Sequence, residues 1–391
     1  MICRVFTLLQ FWVLKNMEPV KIKKFYLIVL GILTLTGCKK EVNENTKSPV
    51  FAHSEKNSVY YWKTVFEPDS TDYDMIEDLD IGKFYLRMFD VDIDPDINQR
   101  EDRTLPVGTL RIPYDTYHDY RNKMKSVSFV PTVYITLEAL KDLNNKNSEA
   151  ERVIDKEGAL ARNIVERVKN MCSYNEIPNV KGLQLDCDWT RTTEESFFRL
   201  CEKVRNYIQK ENLPWELSST IRLHQLYSKA PPVDYGVLMV YNTGNFSDPN
   251  EKNSIISEEN VDPYLKHLKN YPLHLDVAYP TYSWQLLFRN REFKGLINGI
   301  ELMDTVNFSQ KSENEYIALK DIPYNGKTIF KGDIIKQEIS HYDDIVTIKN
   351  KIEEILKNKP HSNILYHFDR KNLDKYTYAE LKNIFKTGQS I

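Results

Sequence analysis

The sequence predicts a (β/α)8 barrel, and three observations predict it. Eight short runs rich in β-branched and aromatic residues recur along the chain, many of them separated by segments of helical period. Several runs are almost continuously apolar, as strands buried on both faces of a parallel sheet must be. The roughly 330 residues that carry them match the size of one such barrel. An open doubly wound sheet is the runner-up, because it alternates strands and helices in the same way.

The runs, in chain order, are Val59–Phe66, Lys83–Asp92, Ser128–Thr136, Gly182–Thr190, Trp215–Arg222, Gly236–Asn242, Leu273–Tyr279 and Asn363–Phe368. Between the third and fourth, residues 159–173 place Leu160, Ile164, Val165, Val168 and Met171 on one helical stripe. Residues 194–210 repeat the pattern with Phe197, Phe198, Leu200, Cys201, Val204 and Ile208. Further helices are expected over 261–270, 343–358 and 376–386. Residues 291–340 break the alternation. Tyr316–Leu319, an Asn325-Gly326 turn and Thr328–Phe330 read as strand, turn and strand, so a small β-rich insertion is expected on the rim between strands seven and eight.

The first forty residues carry a different message. Lys21, Lys23 and Lys24 precede an apolar run from Phe25 to Leu35, which is too short to span a bilayer and has the length of a signal-peptide core. The run ends in Leu35-Thr36-Gly37-Cys38, which resembles the lipobox of bacterial lipoproteins. That resemblance implies cleavage before Cys38, acylation of the new N-terminus (palmitate among the chains) and attachment to a membrane. Met17 would start a signal peptide of ordinary shape. The expected organisation is a signal peptide over 1–37, a polar tether over 38–57 and the barrel over 58–391. Lys39, rather than an aspartate, follows the cysteine and favours the outer membrane over the inner.

Composition narrows the function. The chain has a net charge of −3, and loss of residues 1–37, which hold five basic residues and one acidic, leaves −7. A nucleic-acid partner, which selects a basic surface, is therefore not expected. Cys172, Cys187 and Cys201 are too few and too odd in number for a disulfide framework. Thirteen glycines form no phosphate-cradling loop, and neither zinc spacing nor a Gly-x-Ser-x-Gly elbow is present, so no cofactor and no metal are expected. The 24 tyrosines suit a surface that stacks on sugar rings.

Chemistry in a barrel sits where strands end at the C-terminal face. The fourth run ends Asp186-Cys187-Asp188-Trp189-Thr190. Strand side chains alternate, so Gln184, Asp186, Asp188 and Thr190 share one face, and two carboxylates on that face stand about 6–7 Å apart. Such crowding separates their proton affinities, which suits either acid–base work or a polar network that only holds the barrel together. Arg222 and His224 follow the fifth run, the first as a partner for Asp186 or Asp188 or a clamp for an anionic sugar, the second as an acid or base or a surface residue. Asp90 and Asp92 end the second run, with Arg87 inside it; they read as a catalytic pair, a cation site or a solvated loop. Tyr279, Tyr282 and Trp284 suit sugar stacking or core packing. His367 and Asp369 form a candidate rim pair.

Asp186, Asp188 and Trp189 match the fourth-strand motif Asp-x-x-Asp-x-Asp-x-Glu of family 18 glycoside hydrolases, and Leu238-Met239-Val240-Tyr241-Asn242 is similar to that family's sixth-strand Met-x-Tyr-Asp. The family also often inserts a small α+β domain after strand seven. The resemblance implies that Asp188 orients a substrate acetamide, and that Trp189, Tyr241 and Asn242 contact sugar. Departures accompany it. The family's catalytic glutamate falls on Thr190, its first aspartate on Leu183 and its sixth-strand aspartate on Asn242. Threonine is no general acid near neutral pH. The expected function is a glycan-active barrel using Asp186, Asp188 and His224, with Trp189, Arg222, Tyr241, Asn242, Tyr279 and Trp284 against the sugar. A glycan-binding protein that does not cut and a scaffold lipoprotein stay open beside it.

Overall fold

The computed structural model describes residues 56–97, 103–144 and 155–388. The chain divides into two units, 1–52 and 53–391, and the first lies outside the described residues. The signal peptide and the lipidation site Cys38 therefore lie outside them, as does the tether up to residue 55.

Eight parallel strands close into a barrel: β1 (Asn57–Tyr61), β2 (Ile81–Ile93), β4 (Ser128–Ile135), β5 (Gly182–Cys187), β6 (Glu216–Arg222), β7 (Tyr235–Met239), β8 (Leu275–Pro280) and β16 (Asn363–Tyr366). Closure is made by β1, which pairs with β2 on one side and β16 on the other. Each of the eight expected runs overlaps one of these strands, and closure rules out the open sheet. Strand β3 (Thr104–Val107) turns back antiparallel on the end of β2.

Helices cover the barrel: α1 (Ser70–Asp78), α2 (Tyr117–Lys123), α3 (Leu137–Asn144), α4 (Lys156–Tyr174), α5 (Glu194–Lys210), α6 (Glu258–Leu268), α7 (Tyr342–Leu356), α8 (Arg370–Leu373) and α9 (Tyr378–Phe385). The stripe read on α4 is the buried one, with Leu160, Ile164, Val165 and Val168 all in the core. Among the described residues no helix is long and apolar enough to cross a membrane. Between β6 and β7 the chain makes only a 3-10 turn, Leu223–Tyr227.

The interior of the barrel is aromatic and polar rather than aliphatic. Tyr60 stacks on Tyr85 at 4.7 Å, and the Tyr85 hydroxyl lies 3.3 Å from that of Tyr235. Above them the buried Gln184 accepts from Tyr60 at 2.8 Å and donates to Ser218 at 3.4 Å. Each polar group finds a partner, as burial demands. The aliphatic core lies instead between the barrel and its helices, the direction in which Leu183, Leu185 and Cys187 point from β5.

The insertion starts at Ser283, earlier than the expected residue 291. Strands β9 (Ser283–Arg289), β10 (Glu292–Ile297), β11 (Phe308–Gln310), β12 (Glu315–Ala318) and β15 (Ile334–Ile339) form an antiparallel sheet in the order β10-β9-β15-β12-β11. Trp284–Arg289 continues from strand eight's neighbour β8 with so short a break that sequence alone shows no boundary. Strands β13 (Ile322–Tyr324) and β14 (Lys327–Ile329) make a hairpin around the expected Asn325-Gly326 turn, whereas the Tyr316–Leu319 run read as the strand before it pairs with β11 and β15. Asn325 and Gly326 both have positive φ, 45° and 74°, as a tight two-residue turn requires.

Candidate functional site at the barrel mouth

Alternation along β5 decides what reaches the mouth. Gln184, Asp186 and Asp188 point inward, while Trp189 points out. Asp186 is 3% exposed, whereas the Asp188 side chain is 52% exposed. Arg222, at the end of the neighbouring strand β6, ties the two together. Its Nη2 donates to Oδ1 of Asp186 at 3.1 Å and its Nε to Oδ1 of Asp188 at 3.0 Å. Its guanidinium also lies over the ring of Tyr241, 5.7 Å from the centroid, and Nη1 is 3.5 Å from the Tyr241 hydroxyl. Thr220, two residues earlier on β6, donates to Asp186 at 2.5 Å.

Burial raises the proton affinity of Asp186, and the Asp188 and Asp90 charges add to that effect. Arg222 and the Thr220 hydrogen bond oppose it. Arg222 itself is held protonated: burial works against its charge, but Asp186, Tyr241 and Asp188 outweigh it. Tyr134, the register partner of Asp186 on β4, is pushed up to about 12 by burial and by both aspartates, so it stands at the mouth as a neutral donor.

Aromatic rings wall the mouth. Tyr241 stacks on Tyr366 at 4.3 Å, and Tyr366 meets Trp62 at 6.0 Å and Tyr282 at 5.9 Å. Tyr282 meets Trp284 at 5.6 Å, and Trp284 meets Phe246 at 6.0 Å. Arg87 lies over Trp62, 5.6 Å from the ring centroid, and donates from Nε to Asp90 at 2.9 Å. Asn242, at φ 52°, accepts from the Tyr282 hydroxyl at 2.5 Å. Asparagine tolerates this left-handed backbone better than most residues.

Asp186, Asp188, Arg222, Tyr241 and Asn242 are thus brought together, with Trp284 further along the wall. His224 is exposed on the 3-10 turn and borders the same small hollow of 160 Å³ as Asp188, Arg222, Tyr241 and Asn242. Two expected sugar contacts lie elsewhere. Trp189 is 1% exposed and packs against Phe197 and Phe198 of α5. Tyr279 is wholly buried on the outer side of β8. Neither ring has a face left for a ligand, because side-chain alternation along β5 and β8 turns Trp189 and Tyr279 away from the barrel interior and into the helix layer. Asp92 is taken up in structure, accepting from Thr136 at 2.9 Å. Asp369 pairs with Lys63 at 2.7 Å. His367 is held neutral, its pKa lowered to about 4 by burial.

Thr190 is absorbed by the start of α5. Its carbonyl accepts from Thr193 and Glu194 at 2.9 and 2.8 Å, and its hydroxyl lies 3.0 Å from that of Thr192. The residues that sequence reasoning missed are Trp62, Tyr134, Thr220 and Tyr366. Period-two counting inward from Tyr60, Thr132, Ser218 and Ile364 identifies all four.

Larger hollows of 520 and 770 Å³ lie on the flank between α4 and β3 and between the insertion and residues 249–253. The convergence of arginine, carboxylates and rings occurs at the mouth. Among the described residues no cluster of three or more His, Cys, Asp or Glu side chains is placed to hold a metal ion.

No family model matches the sequence, and neither does any curated protein. Among solved structures, the Bacillus cereus spore cortex-lytic enzyme SleL is similar at 12% identity, over 86% of this chain and 76% of its own, with a TM-score of 0.47. A glycoside hydrolase family 18 N-acetylglucosaminidase from Paenibacillus barengoltzii is similar at 12% identity, over 84% and 99%, with a TM-score of 0.47. A chitinase from Bacteroides thetaiotaomicron is similar at 12% identity, over 86% and 99%, with a TM-score of 0.47.

Proposed function

We propose that this chain is a cell-envelope lipoprotein that binds a glycan across the barrel mouth without cutting it. The observation that carries the reading is the Arg222 clamp on Asp186 and Asp188, set against the wall of Trp62, Tyr366, Tyr241, Tyr282 and Trp284. Sugar rings present apolar faces to such a wall and hydroxyls to an exposed carboxylate. Asp188 offers lone pairs that Arg222 leaves open, and Tyr134 offers a hydroxyl.

The hollow beside Asp188 and Arg222 is smaller than the roughly 300–1,000 Å³ of pockets that swallow a small molecule. A ligand that lies across the mouth, as a polysaccharide does, fits this surface better than one that sinks into it. Cleavage would need a protonated group beside the glycosidic oxygen. Both inward carboxylates are paired to one arginine, and Thr190 is engaged in the turn before α5.

A hydrolytic reading has one observation in its favour. Burial raises the proton affinity of Asp186 next to the exposed Asp188, so a proton held on Asp186 would make it the electrostatic partner of Asp188 and leave Asp188 free to orient a substrate acetamide.

The test is a binding screen of the full chain against a glycan array with chitin fragments, N-glycans and peptidoglycan fragments, with product release followed on each hit. Binding without release supports the proposal. Release supports hydrolysis and makes Asp186, Asp188 and His224 the next residues to change. Silence across the array leaves the barrel as a scaffold. Attachment through Cys38, with the outer membrane as its destination, belongs to the same proposal; palmitate labelling that survives Cys38→Ser would overturn it.

A further inference from the structure

Glu338 is a buried carboxylate of the insertion, and it is not among the groups that reach into the barrel mouth. It sits on β15 in register with Trp284 on β9. Its Oε2 accepts from Trp284 Nε1 at 2.8 Å, from the Ser254 amide at 3.0 Å and from the Ser254 hydroxyl. Its Oε1 is 2.8 Å from Nζ of Lys336, which is equally buried and also donates to the Glu251 carbonyl. Asn253 donates to the Ile339 carbonyl at 2.8 Å. One carboxylate therefore fastens three things: a rim tryptophan, the insertion and the loop that follows Tyr241 and Asn242. Phe246, in that loop, lies against Trp284.

A buried ion pair adds little stability over apolar residues of similar volume, because desolvating two charges offsets their attraction. Its benefit here is geometric. An indole with its N–H bonded to a fixed acceptor has one ring orientation, and stacking on a sugar depends on that orientation.

We infer that Glu338 is a positioning residue that sets the Trp284 ring and the 251–254 loop for glycan binding, so that affinity at the mouth is controlled from the insertion. The inference rests on the glycan-binding reading for its affinity arm and on geometry alone for its spectroscopic arm.

The test compares two double variants of the full chain, since removing Glu338 alone strands the Lys336 charge and endangers folding. K336Q/E338Q is neutral but keeps an oxygen for Trp284 and Ser254. K336M/E338M is neutral and keeps none. The Trp284 signal is read as the difference in emission and acrylamide quenching between each protein and its W284F derivative. Binding is read with N-acetylchitohexaose and, in parallel, with the best hit of the array. The expected result is that K336Q/E338Q keeps the wild-type Trp284 signal and affinity, while K336M/E338M shows a more quenchable Trp284 and binds about tenfold more weakly, a loss of about 1.4 kcal/mol. Identical Trp284 signals in the two double variants would overturn the inference whether or not any glycan binds. Wild-type protein that binds no glycan, with Trp284 released only in K336M/E338M, would instead overturn the glycan reading and leave Glu338 as the holder of that ring.

Discussion

Arg222 donates to Asp186 at 3.1 Å across the β5–β6 boundary, joining two barrel strands through a bond buried beneath the mouth. The same arginine reaches outward to Asp188, which stands half in solvent. One side chain thus sets the charge of the mouth, and the consequences of changing it differ from those of changing either carboxylate.

Arg222→Met should destabilise the fold by about 3–5 kcal/mol, because Asp186 is left buried without its counter-charge. Urea unfolding at pH 7 measures this. The loss should shrink at low pH, where Asp186 takes up a proton, since burial already raises its proton affinity. An equal loss at pH 4 and pH 7 would contradict the clamp. Arg222→Lys should recover only part of the stability, because an ammonium cannot span both carboxylates as the planar fork does.

Asp188→Asn should leave stability within about 1 kcal/mol of the parent, as expected of an exposed ion pair. Glycan affinity should fall about tenfold, because charge-assisted hydrogen bonds to the sugar are lost. Calorimetric titration with the array hit checks both statements together. Full affinity in this variant would remove Asp188 from the site.

Trp189→Ala should behave in the opposite way. The ring is wholly packed between the barrel and α5, so its removal should cost about 3–5 kcal/mol. Affinity of the fraction that stays folded should be unchanged. Tyr366→Ala, in contrast, should weaken binding, since that ring joins Trp62 to Tyr241 at the mouth. A Trp189→Ala protein that folds normally but binds no glycan would mean that the outward ring reaches the ligand after all.

The end of the chain carries a pH-dependent clasp. Glu353 on α7 accepts from Asn363 at 2.8 Å and from the Gly388 amide at 2.9 Å, and lies 3.2 Å from His361. Burial works against the Glu353 charge, but these partners outweigh it and lower its pKa from 4.5 to about 2. Its contribution is present above pH 4.5 and is lost as the pH falls from there towards 2. Burial likewise opposes the His361 charge, but Glu353 and Asp276 raise its pKa above 6.5. That contribution is complete below pH 6.5 and is lost as the pH rises through the raised value. Thermal melts should therefore show the clasp at its strongest between about pH 4.5 and 6.5, and Glu353→Gln should flatten both limbs of the profile relative to wild type. A variant whose melts keep the wild-type pH dependence would refute the assignment.

Local patterns determined the barrel. Period-two runs and period-3.6 stripes report burial on one or two faces, and that burial survives whatever the neighbours are. All eight strands, the covering helices α4 and α5 and the Asn325-Gly326 hairpin were legible for this reason. The inward pairing of Asp186 with Asp188 followed from alternation alone. Tertiary structure decided the rest. Arg222 was legible as a partner for Asp186 or Asp188; that it takes both at once while His224 stays exposed depends on closure and register, which no single segment encodes. The outward turn of Trp189 and Tyr279 followed from the same alternation, yet their chemistry suggested a ligand until the helix layer was seen to cover them. The wall of Trp62, Tyr366, Tyr241 and Tyr282 joins residues up to about 300 positions apart, brought together only when β1 and β16 pair. The grip of Glu338 on Trp284 arises from strand register within the insertion, where short strands with mixed burial leave little periodic signal to read.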